Sequence, residues 1–361
     1  MTALRVGTRG SALALAQARW VAERLSGAEI VEITTSGDRA RGIGDKSRWV
    51  DTIEAALVAG EIDLAVHSAK DVPADLAPGC ERGATPPRAH AEDVLVGAAL
   101  GALAPGARVG TSSLRRRAQL LAARADLEIV ELRGNVDTRL RKLDAGDVDA
   151  IVLAAAGLER LGIDRAAEVL DFVPAPGQGT LAIEARADDE RVRAAVAAVH
   201  DPDTFAALTA ERAAVRVLEA SCYTPVGIHA RDGTIRGFVG LPDGSAWVTD
   251  EVAGEDGAEL ARRMLAAGAG TKSSASIESL NHAPTLAALR AERAAVRVLE
   301  ASCHTPVGIH AQDGTIRGFV GLPDGSAWVA DEVSGEDGEA LARRMLAAGA
   351  GDLLAQAEAM A

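Results

Sequence analysis

Arg108-Val-Gly-Thr-Ser-Ser-Leu-Arg-Arg-Arg-Ala-Gln-Leu-Leu-Ala-Ala123 reads as a short strand, a polar turn and a helix. The spacing predicts a strand over Arg108–Gly110 and a helix over Leu114–Ala123. Ser112 or Ser113 is its N-cap, because a hydroxyl there accepts one of the amide protons that a helix start leaves unpaired. The same alternation continues outward. Downstream come a strand over Glu128–Leu132, a helix over Thr138–Asp144 and a strand over Ala150–Ala154. Upstream, strand Leu4–Thr8, helix Ser11–Leu25, strand Ile30–Thr35, helix Val50–Ala59 and buried strand Ile62–Val66 make a first such series. Strands alternating with helices indicate parallel α/β sheets. Two series predict two α/β bodies with a cleft between them, and ligands at the carboxyl ends of the strands.

The chain has 361 residues, enough for two or three domains. Hydrophobic residues make up 48% and aromatics only 2%, so Ala, Val and Leu must fill the cores. The first residues read as a strand and lack the apolar stretch of a signal peptide. No run reaches the roughly 18 apolar residues of a membrane span. Three scattered cysteines, Cys80, Cys222 and Cys303, do not make a disulfide framework. The expectation is a cytoplasmic protein with no membrane partner and no metal site.

Charge is distributed unevenly. The formal net charge is −14, yet Arg108 to Lys142 holds nine Lys/Arg against four Asp/Glu. That reversal suggests a local site for small anions. The overall acidity, the scarcity of aromatics for stacking and the interleaved carboxylates speak against nucleic acid.

Each predicted strand end carries a polar cluster: Arg9 and Ser11; His67-Ser-Ala-Lys-Asp-Val-Pro73; Thr111-Ser-Ser-Leu-Arg-Arg-Arg117; and Arg133-Gly-Asn135, with Arg139 one turn into the next helix. Arg115 and Arg116 fall in a first helical turn, where cations oppose the helix dipole by roughly a few tenths of a kcal/mol each. Two there are unfavourable unless something negative binds. Arg133 and Arg139 add planar forks suited to carboxylates. Asp71 follows a buried strand and precedes Pro73, so it sits at the cleft floor. It can trade a proton with a leaving group or merely close a turn. Cys222, in Leu218-Glu-Ala-Ser-Cys-Tyr-Thr-Pro-Val-Gly227, reads either as a loop nucleophile or attachment point, or as a small apolar filler.

The chain also repeats itself. Residues 204–270 recur as 285–351, and only eight of 67 positions differ. Two near-identical copies after 200 residues without the pattern indicate a duplicated domain rather than a solenoid. The Ser-rich stretch 271–284 reads as a linker. Asp352–Ala361 reads as a terminal helix that the first copy lacks.

These clusters, in this order, resemble the hydroxymethylbilane synthase (porphobilinogen deaminase) family. The segments that carry the resemblance are Gly7-Thr-Arg-Gly-Ser-Ala-Leu-Ala14, Ile62–Pro73, Gly110–Arg116, Leu132-Arg-Gly-Asn-Val-Asp-Thr-Arg-Leu140, Ala156-Gly-Leu-Glu-Arg-Leu-Gly162, Pro176-Gly-Gln-Gly179 and the Cys222 segment. They cover residues 4 to about 270.

The resemblance implies two α/β domains, like those of periplasmic binding proteins, around a hinged cleft, and a small α+β third domain. It implies stepwise deaminating condensation of four porphobilinogens into hydroxymethylbilane, with release of ammonia, in porphyrin and haem biosynthesis. A dipyrromethane cofactor would be held by a thioether to Cys222, with Cys303 as the alternative. Asp71 matches the catalytic aspartate, which protonates the substrate amine and stabilises the cation left behind. Arg9, Arg115, Arg116, Arg133, Arg139 and Arg160 match residues that bind acetate and propionate side chains, with Ser11, Lys70, Ser112 and Ser113 in support.

The chain departs from the family pattern at Asp45–Asp51, where Lys46 and Trp49 are the candidates for a lid. It departs again in the second copy of the third domain. The expected partition is 1–88 with 178–200, 89–177, 201–270, linker 271–284, and 285–361. The first copy is directly attached to the body, which favours Cys222. The chain is expected to be a monomer, with self-association through the extra domain as a further option. A non-catalytic anion-binding protein on the same cleft is the alternative reading.

Overall fold

A computed structural model describes residues 3–25, 27–35, 50–73, 76–220, 224–269, 283–299, 306–312, 314–335 and 337–360. Lys46, Trp49, Cys222, Cys303 and nearly all of the 271–284 linker lie outside the described residues. The chain divides into two compact units, Met1–Ser274 and Ala275–Ala361.

In the first unit the chain runs β1 (Arg5–Thr8), α1 (Ala12–Arg24), β2 (Glu29–Glu32), α2 (Asp51–Val58), β3 (Leu64–Ser68) and β4 (Cys80–Ala84). Next come β5 (Asp93–Val96), β6 (Arg108–Gly110), α3 (Leu114–Ala123), β7 (Glu128–Val130), α4 (Val136–Asp144), β8 (Ala150–Ala154) and α5 (Ala155–Arg160). β9 (Ala167–Leu170), β10 (Leu181–Arg186), α6 (Glu190–Val196) and α7 (Pro202–Val217) follow. The unit ends with β11 (Val226–Arg231), β12 (Thr234–Gly240), β13 (Trp247–Ala253) and α8 (Gly257–Ala266).

The larger elements form two five-stranded sheets, ordered β2-β1-β3-β10-β4 and β7-β6-β8-β5-β9. The pairs β1–β2, β1–β3, β6–β7 and β6–β8 are parallel, as the alternation predicts. The remaining pairs correct that expectation. β10 runs antiparallel to β3 and β4, and β5 runs antiparallel to β8 and β9, so both sheets are mixed. The chain leaves the first sheet after β4, builds the second, and returns as β10. A strand arriving across that gap has no helical crossover behind it and is not bound to run parallel.

Local chemistry sets the helix starts. The Ser11 hydroxyl accepts from the Ala14 amide, Ser113 accepts from Arg116, and Asp201 accepts from Thr204 ahead of Pro202. Val6, Leu64, Val66 and Ile183 pack under α1 and α6 with Val21, Val192 and Val196. The second sheet is covered on both faces by two clusters, one around Val109, Leu120 and Val152, the other around Leu132, Leu140 and Ile151.

Where the chain crosses between the sheets, two segments nearly touch. Gly177 and Gly179 adopt φ of +78° and +82°, and a Cβ on Gly179 would stand 2.4 Å from the Ala89 carbonyl oxygen. Only glycine combines that backbone with that proximity. The Pro-Gly-Gln-Gly motif is therefore a crossing point.

The rest of the unit is a three-stranded antiparallel sheet, β11-β12-β13, with α7 and α8 on one face over Ile228, Ile235, Leu260 and Met264. Glu211 of α7 fastens it to the crossing. That wholly buried carboxylate accepts from Arg88 Nη1 (2.6 Å), the Gly177 amide (2.7 Å) and the Ala230 amide (2.9 Å). On the opposite face Phe238 packs against Ala118 and Val173.

The second unit repeats this small fold with α9 (Ala283–Val298), β14 (Val307–Gln312), β15 (Thr315–Gly321), β16 (Trp328–Ser334), α10 (Gly338–Ala347) and α11 (Ala350–Met360). The terminal helix begins at Ala350, two residues before its expected start, and adds Leu354 to a core of Ile316, Val320, Leu341 and Met345. Phe319 is 45% exposed, whereas its counterpart Phe238 is 3% exposed.

Removing one partner of a buried ion pair leaves the other charge uncompensated, typically by about 3–5 kcal/mol. Glu211→Ala should destabilise the first unit on that scale in chemical denaturation. Glu292→Ala, which removes a carboxylate bonded to the Ala311 amide at the matching place, should cost only about 1 kcal/mol.

Candidate active site

β3 ends on Ser68, and one short 3-10 turn, Ala69–Asp71, carries the chain into the cleft. The turn is held from beneath by the Ala69 amide, which donates to the Thr180 carbonyl at the start of β10. Lys70 and Asp71 therefore come from a rigid edge. The helix α3 enters from the second sheet, bringing Ser112, Ser113, Arg115 and Arg116, and α4 brings Arg139. Between them lies a cavity of about 560 Å³. Its third side is Arg212 and Val215 of α7 with Ala220, Thr224 and Val226.

The described lining holds five cations, Lys70, Arg115, Arg116, Arg139 and Arg212, against one carboxylate, Asp71. None of these lining residues is aromatic. Such a wall suits a ligand with several carboxylates, which arginine holds through paired N–H donors.

Arg115 and Arg116 in a first helical turn call for a negative group. Part of the answer is internal. Asp93, the fully buried first residue of β5, accepts from Arg115 Nη1 at 2.5 Å and from Arg116 Nε at 2.9 Å. Burial alone would raise its pKa, but the two guanidinium groups overrule burial and hold the carboxyl well below its ordinary range. Gln178 joins the same cluster: its Nε2 donates to Asp93 (2.9 Å) and to the Ala91 carbonyl (2.6 Å), and its Oε1 accepts from Lys70 Nζ (3.3 Å). Burial, with Arg116 close by, pulls Lys70 down to about 8, against the attraction of Asp71 and Asp93. Arg139 is drawn down to about 10 by burial and by Arg116.

The predicted residues do not all converge. Lys70, Asp71, Ser112, Ser113, Arg115, Arg116 and Arg139 share the cavity. Ser11 caps α1, Arg133 pairs with Glu131 at 2.6 Å on the surface, and Arg160 donates to the Gly179 carbonyl at 2.6 Å. Those three, with Arg9, are outside the described lining. Asp93, Gln178 and Arg212 were missed. Gln178 had a signal, since it sits inside Pro-Gly-Gln-Gly, and Asp93 had a weaker one as a carboxylate opening an apolar run.

A second buried cluster lies elsewhere on the first sheet. Glu184 of β10 is fully buried, and burial together with Glu54 pushes its pKa up to about 8 against Arg212 and Arg82. His67 of β3, 3.7 Å away, is pushed down to about 4 by burial and Arg9. The contact geometry alone would suggest an ion pair. The titration directions make both groups neutral at pH 7, and burial without hydrogen-bond partners supports neutrality.

Comparison with known proteins agrees with this geometry. Residues 4–194 match the family model described as "Porphobilinogen deaminase, dipyromethane cofactor binding domain". Residues 205–266 and again 286–347 match "Porphobilinogen deaminase, C-terminal domain". The chain belongs to the porphobilinogen deaminase family.

A porphobilinogen deaminase of Brevibacillus brevis is 44% identical over 295 residues, covering 74% of this chain and 95% of that protein. One from Roseiflexus sp. is 49% identical over 263 residues, covering 67% and 87%. Among solved structures, the methionine-binding protein MetQ covers 56% of this chain and 91% of its own, at 17% identity and a TM-score of 0.37, too distant to say anything of a ligand. The reaction of this family is the deaminating condensation of porphobilinogen into the linear tetrapyrrole hydroxymethylbilane, a transferase reaction of porphyrin and haem biosynthesis run on a dipyrromethane cofactor. A merely anion-binding role is not favoured.

Glu184 supplies a pH test. Unfolded, its carboxyl releases its proton near 4.5, whereas the folded protein keeps it until about 8. The native state thus binds more protons across that window, and stability falls as pH rises through it. Glu184→Gln, neutral at every pH, should raise the melting temperature at pH 8 by more than at pH 5.

Proposed function

We propose that Asp71 is the proton-trading group of the condensation and that Cys222 carries the cofactor. Lys70, Ser112, Ser113, Arg115, Arg116 and Arg139 would hold carboxylate side chains. Arg9, Ser11, Arg133 and Arg160 would meet the outer units of a longer chain, and Lys46 and Trp49 would serve as a lid. The two large sheets would act as separate domains, residues 1–88 with 178–200 and residues 89–177, with residues 201–270 as the third.

The observation that carries this reading is the charge and make-up of one cavity. Among its described lining residues, five cations stand with Asp71 as the lone carboxylate. Ala220 and Thr224, on either side of Cys222 in sequence, line the same space. That supports Cys222 over Cys303 as the attachment point. Bound there, the dipyrromethane would supply the pyrrole carbon from which the product chain grows. The chain's own residues do the rest. Asp71 gives a proton to the departing amine and, once ionised, steadies the positive charge left on the substrate. The arginines fix each pyrrole by its rim, because every porphobilinogen brings two carboxylates.

Among the described residues no helix is long and apolar enough to cross a membrane. We infer a cytoplasmic enzyme that works as a monomer and takes up porphobilinogen, with no nucleic-acid partner. The exposed sheet face around Phe319 is where self-association would occur, and sedimentation of Phe319→Ser against the parent chain reads it.

Asp71→Asn should lower turnover of porphobilinogen by roughly 10²–10⁴-fold while the protein stays folded. Turnover at the parent rate would refute the assignment. Intact-mass analysis should show the cofactor adduct lost from Cys222→Ala and kept by Cys303→Ala; the opposite result would transfer the attachment to the second copy.

A further inference from the structure

We propose that Asp93 is a positioning residue, which fixes Arg115 and Arg116 directly and Lys70 through Gln178, and so sets where Asp71 stands relative to the groups that grip substrate carboxylates. The inference rests on the site reading above and deepens it. Asp93 does not line the cavity and is fully buried behind it. It touches neither substrate nor cofactor, and acts through others.

Two chain segments meet on this carboxylate, which β5 supplies. From α3, Arg115 binds Asp93 Oδ2 and Arg116 binds Oδ1 through Nε and Nη2, the latter at 2.8 Å. Each arginine is pinned again by a backbone carbonyl: Arg115 Nη1 donates to Val173 (2.8 Å), and Arg116 Nη1 to Val152 (3.0 Å). Gln119 holds Val173 in place, donating to its carbonyl (3.2 Å) and accepting from its amide (2.7 Å). A guanidinium has five N–H donors in a rigid fork. Fixing its inner edge therefore fixes the direction of the outer one. Arg115 Nε is buried without an acceptor of its own, so the fork is not saturated by the protein.

The second segment is the crossing between the sheets. Gln178 links Asp93 Oδ1 to Lys70 Nζ, and Lys70 adjoins Asp71 in the same 3-10 turn. The proton-trading turn belongs to the first sheet and the arginines to the second, and Asp93 and Gln178 span that junction. A displacement of about 1 Å at a reacting group can cost on the order of 10²-fold in rate. A link that holds the junction is thus a link that sets rate.

The test is steady-state kinetics on full-length, cofactor-loaded Asp93→Asn and Gln178→Met, with melting temperatures from the same preparations. Asp93→Asn should raise KM for porphobilinogen by roughly tenfold or more, since both arginines lose their anchor. Gln178→Met keeps both arginine ion pairs but cuts the link to Lys70. It should lower kcat by roughly ten- to a hundredfold with KM within about twofold. Lys70, followed by pH-dependent acylation and peptide mass, should titrate lower in Asp93→Asn, because an attracting charge is gone.

Kinetic constants within about twofold of the parent in both variants, with only melting temperatures changed, would reduce Asp93 to a structural counter-ion and overturn the proposal. If Asp93→Asn does not fold, unchanged kcat in Gln178→Met overturns it alone. Asp71→Asn, assayed alongside, separates the two readings. Parent-like turnover there defeats the site assignment, whereas loss of turnover there with parent-like Asp93 and Gln178 variants defeats the positioning role only.

Discussion

A carboxylate with no exposure to water, set against two guanidinium groups, organises this molecule around its cleft. Charges buried in a low-dielectric interior are tolerated only when each is paired and hydrogen-bonded. Asp93 meets that condition through Arg115, Arg116 and Gln178, and those partners come from a helix of one sheet and from the strand crossing. Glu211 meets the same condition one layer away, joining α7 and the three-stranded sheet to Arg88 and Gly177. Burial thus converts two ordinary acids into fasteners, and the cavity is the space left between what they fasten.

The parts of the fold legible in the sequence were those with a local cause. Helix Leu114–Ala123 keeps the bounds its sequence predicts, its start fixed by the Ser113 cap. The strand before Asp71 was read two residues early, since an apolar run gives no sign of where pairing stops; β10 extends it to Ser68. The strands β4, β5, β9 and β10 were not read, and with them went the mixed character of both sheets. Their pairing partners lie as far as about 120 residues away, as in Ile183 with Val66, and nothing in a short window announces such a partner.

The site divides along the same line. Lys70, Asp71 and the Ser-Ser-Leu-Arg-Arg turn stand at strand ends, where chemistry in parallel sheets collects, and they share the cavity. The expectation that two first-turn arginines demand a negative partner was sound physics, but its object was partly inside the protein. A sequence shows that a charge is unbalanced without showing which distant residue balances it. Arg133 illustrates the converse: it sits in a recognisable motif yet spends its fork on the neighbouring Glu131.

The cavity wall contains no ring among its described lining residues. On the site reading proposed above, pyrroles held there would meet these described residues through their acidic fringes. Stacking would fix each ring at one depth, because sliding a ring off its platform forfeits the contact at once. Charged handholds impose a softer penalty, because Coulomb attraction falls off gradually with distance. If the proposed site is right, a lengthening oligomer would be passed from one guanidinium to the next, one unit at a time.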